Sequence, residues 1–124
     1  MLDELTKDFS SSKSVDEILH RVLSTFISNH EISHKSYQEI MSLTYSDPEI
    51  ASYYYNREIE MTNKLYDLLI DHKFPSYELK EKIHLIIGMI EDYCHEVIYH
   101  KHKELDYTVY EKIVISNIKY MLNK

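Results

Sequence analysis

The sequence predicts an all-α fold, a five-helix bundle, and three observations carry that prediction. Glycine occurs once and proline twice in 124 residues, which leaves little material for the tight turns of a sheet protein. Apolar residues recur at three- and four-residue spacing over long stretches. Serine, threonine or aspartate stands at the start of most of those stretches, where helices are capped.

In chain order, a short first stretch, roughly Leu2–Phe9, runs into the break "SSSKS". Ser14 then opens a capping box with Glu17, and Val15, Ile18, Leu19, Val22, Leu23, Phe26 and Ile27 follow helical spacing to a close near Glu31. A shorter helix is expected over Ser33–Thr44, with Tyr37, Ile40 and Met41 on one face. In "SDPEI" Asp47 is the expected cap and Pro48 the first-turn proline of a helix that runs to about Lys73. The break "FPS" stops it, and Ser76 is the expected cap of the stretch from Tyr77 to about His102. Asp106 or Thr108 opens the last helix, which ends at Leu122.

These residues read as one domain, 1–124, with enough apolar content, 44%, to bury a core. A formal charge of −7 with no basic run argues against nucleic-acid binding by the chain itself. The run "LIIGMI" is too short to span a bilayer, the N-terminus has no signal-peptide core, and the single cysteine permits no internal disulfide, so a cytoplasmic location is expected with no membrane partner. No nucleophile–base pair, glycine-rich loop or triad spacing is readable. A non-enzymatic module without a cofactor is therefore expected.

The apolar arcs of the helices Pro48–Lys73, Tyr77–His102 and Asp106–Leu122 are wider than one buried face requires. Gly88, costly in mid-helix by about 1 kcal/mol relative to alanine, suggests a close backbone approach there. A homodimer built on the last two helices would absorb this surface. Glu58 interrupts the apolar arc of its helix, and a buried carboxylate needs compensation. It is therefore a candidate pocket acid for a cationic or hydrogen-bonding ligand, with Phe26, Tyr37, Met41, Tyr54, Tyr55 and Met61 around the same cavity.

Order, lengths and breaks together resemble the C-terminal effector-binding and dimerisation domain of tetracycline-repressor (TetR) family transcription regulators. "LDELTKDF" resembles the end of the family's connecting helix. "VDEILHRVLSTFISNHEI" resembles the helix that follows, closing on Asn29, His30 and Ile32. "SDPEI" resembles the start of its long pocket helix, and "LKEKIHLIIGMIEDYCHEVI" and "VYEKIVISNIKYML" resemble the two helices that pair across its dimer. The family's N-terminal helix-turn-helix is absent from this sequence. The resemblance implies a small-molecule effector, DNA contact only through that missing domain, and a dimeric four-helix bundle. Its expected interface is Ile83, Ile87, Gly88, Ile90, Cys94 and Val97 with Tyr110, Val114, Ile118 and Met121.

A second reading comes from the histidines. On an ideal helix His84, Gly88, Glu91, His95, Ile98 and His102 share one line, so His84, Glu91, His95 and His102 are metal-ligand candidates. "EILH" and "EKIH" place Glu17/His20 and Glu81/His84 in the Glu-x-x-His spacing of ferritin-like bundles. The alternative is thus a metal-binding helical bundle, ferritin-like or metal-sensing.

Overall fold

In a computed structural model, residues 7, 14–29 and 34–123 are described. Five helices make up that part of the chain: α1 (Val15–Asn29), α2 (His34–Ser46), α3 (Pro48–Asp71), α4 (Leu79–Tyr99) and α5 (Tyr107–Leu122). No strand occurs among the described residues. The expected first stretch, Leu2–Phe9, lies outside them apart from Lys7, as do His30 to Ser33.

Local chemistry explains most of the helix starts. The Ser14 hydroxyl accepts from the Glu17 amide at 3.2 Å, half of the expected capping box. Asp47 caps α3 by accepting from the Glu49 amide at 2.9 Å, and Pro48 takes the first helical position, where its missing N–H costs nothing. For α5 the cap is Asp106, which accepts from the amides of Thr108 and Val109 at 2.9 and 3.3 Å; Thr108 is already inside the helix. The start of α4 differs from expectation. Ser76 contributes only its carbonyl, to the Leu79 amide at 3.2 Å, and Glu78 stands at the cap in the left-handed region at φ 51° without a side-chain cap bond. Lys73, just beyond α3, is also left-handed, at φ 68°.

Helix α4 is the centre of the packing. It lies against α1, α3 and α5, while α2 packs on α3. Its buried row is Leu79, Ile83, Ile86, Ile90, Tyr93 and Cys94. Val114, Ile118 and Leu122 of α5, Leu69 of α3 and Leu23 of α1 close the core around it. Burial of an aliphatic side chain of this size is worth about 1.5–3 kcal/mol, so the core rests on roughly a dozen such terms. On α3 the buried positions are Thr62 and Leu69, while Met61 and Leu68 are half-buried and Tyr54 is exposed, so the centre of the apolar arc faces the core only over the second half of the helix. No helix among the described residues is long and apolar enough to cross a membrane.

Candidate functional site

Three elements bring polar side chains together beside the core. Tyr37 of α2 reaches α4, where its hydroxyl and Nδ1 of His95 are hydrogen-bonded at 3.1 Å and its ring stacks on Tyr99 with centroids 4.6 Å apart. Thr62 of α3 donates its hydroxyl proton to the Glu58 carbonyl at 2.9 Å. In its 3.3 Å contact with His84 of α4 the same oxygen must then accept, which puts the proton on Nδ1 of His84. Two turns beyond His84, Glu91 is half-buried. Burial raises its carboxyl above the ordinary range, and the charges of Glu58 and Asp92 add to the shift while His84 opposes it. The Tyr37 hydroxyl is raised by burial first and by neighbouring Tyr99 and acidic groups second.

Glu58 itself is exposed, and so are Tyr54 and Tyr55, the latter at 64%. The carboxylate keeps its water, so the desolvation that called for a compensating partner is not there. The reason is the facing of the arc: over its N-terminal half α3 turns the continuation of its buried row, Tyr54, Tyr55, Glu58 and Ile59, toward open solvent. Tyr37, Met41 and Met61 are half-buried; the side chain of Phe26 lies outside the described residues.

The expected dimer residues divide in two. Ile83, Ile90, Cys94, Val114 and Ile118 are buried in the core of the chain itself. Ile87, Gly88, Val97, Tyr110 and Met121 are half-buried. Beyond its own helix backbone and chain neighbours, no atom of the described residues lies within 4 Å of where a Cβ of residue 88 would stand, so no close approach among them requires Gly88. The uncovered apolar surface is on the opposite side of both helices, at Leu85, Val109, Ile113 and Tyr120. Periodicity shows that a helix has two apolar flanks. Which flank meets the chain's own core depends on how the helices are set against each other.

The histidine line does not survive as a line. Helix α4 ends at Tyr99, so His102 leaves the helix and lies 3.9 Å from the Glu96 carboxylate instead. His84 and His95 are engaged with Thr62 and Tyr37, and among the described residues no three His, Cys, Asp or Glu side chains converge on one metal position. His20 of the "EILH" spacing faces α5, where Nδ1 meets the Glu111 carboxylate at 2.6 Å.

Sequence reasoning missed that contact. Together with Lys119 to Asp16 at 2.6 Å it forms a pair of rungs between α1 and α5. Between the rungs lies an open hollow of about 480 Å³ lined by Asp16, His20, Lys112, Ile115, Ser116 and Lys119. The spacing of Lys112, Ser116 and Lys119 on one helix face was readable, but not the placement of α1 against that face.

Among the described residues, fold and site together define an all-helical arrangement with a polar seam across α2, α3 and α4, an exposed Leu85 on α4 and a row of exposed apolar side chains on α5. No family model, no curated protein and no solved structure matches the chain.

Proposed function

We propose that the chain is the ligand-sensing and dimerisation part of a TetR-like transcription regulator, non-enzymatic, its last two helices pairing with their copies in a four-helix bundle. The observation that supports this best is the outer face of α4 and α5. Leu85 is 60% exposed, Val109 49%, Ile113 57% and Tyr120 62%. On α5 the last three are four and seven residues apart and so share one face. Scattered exposed apolar side chains are ordinary, but a set aligned along one helix face, as on α5, is a typical assembly surface. The open space over Gly88 on α4 would admit a helix from a second copy at close range. In this reading the ligand would meet the seam formed by Tyr37, Thr62, His84 and His95. DNA is not a partner of these residues themselves, given the charge of −7.

Sedimentation analysis of the unmodified chain tests the reading. The expected result is a dimer at micromolar concentration, converted to monomer by Ile113→Glu without loss of helicity. A monomer at high micromolar concentration overturns it.

A further inference from the structure

The hollow between α1 and α5 lies outside the seam and borders the proposed dimer face at Ser116, which stands in the row of Ile113 and Tyr120 on α5. We propose that it binds a small organic anion, a carboxylate or a phosphate, through Lys112, Ser116 and His20.

The geometry starts from the two rungs. Asp16 and His20 are one turn apart on α1, about 6 Å of rise, whereas their partners Lys119 and Glu111 are two turns apart on α5, about 12 Å. The rungs therefore splay, and the stretch of α5 between them has no counterpart on α1. Ile115 forms the half-buried floor there, and Lys112 and Ser116, one turn apart, stand on the rim. About 480 Å³ lies within the range of small-molecule sites, roughly 300–1,000 Å³.

The charges decide the sign of the ligand. Asp16 is neutralised by Lys119 at 2.6 Å, and Glu111 faces His20 at 2.6 Å. Lys112 makes no ion pair or hydrogen bond with another described residue. With Asp16 held by Lys119 and Glu111 engaged by His20, the Lys112 ammonium is the cation of this lining left for an anion among the described residues. The ammonium of Lys112 and the hydroxyl of Ser116 supply donors to an oxyanion, the His20 ring borders it from α1, and Ile115 offers apolar contact to a short carbon skeleton.

Titration of the full chain with succinate and, separately, inorganic phosphate, followed by amide NMR shifts at constant ionic strength, tests this. Saturable shifts centred on His20, Lys112 and Ser116 are expected with at least one anion and not with chloride; the anion that saturates identifies the carboxylate or phosphate source. Lys112→Glu should weaken binding at least tenfold. Lys103→Glu, an identical charge change in the turn before α5, should leave it within twofold. Absence of saturable shifts to tens of millimolar, equal shifts with chloride, or equal losses in the two variants would each overturn the proposal. Dimerisation is read independently by sedimentation, so failure here leaves the previous reading standing.

Discussion

Cys94 is fully enclosed, and burial together with the Glu111 and Glu91 charges pushes its thiol up to about 12. Its neighbour Tyr93 is pushed up to about 12 as well, again chiefly by burial and then by Glu111. In the unfolded chain these groups ionise from their ordinary values of 9.0 and 10.0, so between there and 12 the folded state holds protons that the unfolded state has lost. Stability from this pair is complete below pH 9 and falls as pH rises toward 12. Denaturation followed from pH 8 to 11 should show that loss, and a thiol reagent at pH 8 should label Cys94 only as fast as the chain unfolds. Glu91 carries the same sign in another window. Its folded value is raised above 4.5, so its favourable contribution is present below that value and is lost as pH rises through the folded one. Glu91→Gln should therefore raise the melting temperature at pH 7, with the difference shrinking toward pH 4. A gain of equal size at both pH values would mean that ionisation is not the cause.

At the level of the elements, the connection from α3 to α4 stores backbone strain. Lys73 at φ 68° and Glu78 at φ 51° bracket Pro75, and a side chain in the left-handed region costs about 1–2 kcal/mol that glycine does not incur. Lys73→Gly should stabilise the fold by about 0.5–1 kcal/mol after glycine's extra freedom in the unfolded chain is counted. A chemical-denaturation midpoint that moves down would contradict the assignment of that conformation. Two isoleucines of α5 separate its faces. Ile118 is 1% exposed, so Ile118→Ala should cost about 2–5 kcal/mol at any protein concentration. Ile113 is 57% exposed, so Ile113→Ala should be nearly neutral in a monomer and costly only where a second copy covers it.

For the whole molecule, that contrast becomes a mass-action test. If two copies share the α4–α5 face, the melting temperature should rise with protein concentration, and Ile113→Glu should abolish the dependence. A melting temperature that is flat over two decades of concentration would speak for a monomer.

What the sequence by itself determined is the class of fold and its punctuation. Scarce glycine and proline argued against a sheet with many hairpins, apolar spacing showed the helices, and Ser14, Asp47 and Asp106 marked starts that their side chains now cap. These are local properties, set by residues within one or two turns of each other. Tertiary structure decided everything that depends on which flank of a helix meets a neighbour. Ile118 and Ile113 are both apolar positions of α5, and only packing made one core and the other surface. Glu58 read as an acid inside an apolar arc, and only the position of α3 left it in water. The rungs of His20 with Glu111 and Asp16 with Lys119 join residues 91 and 103 positions apart, where no periodicity reaches; the side chains form pairs only because α1 folds back across α5.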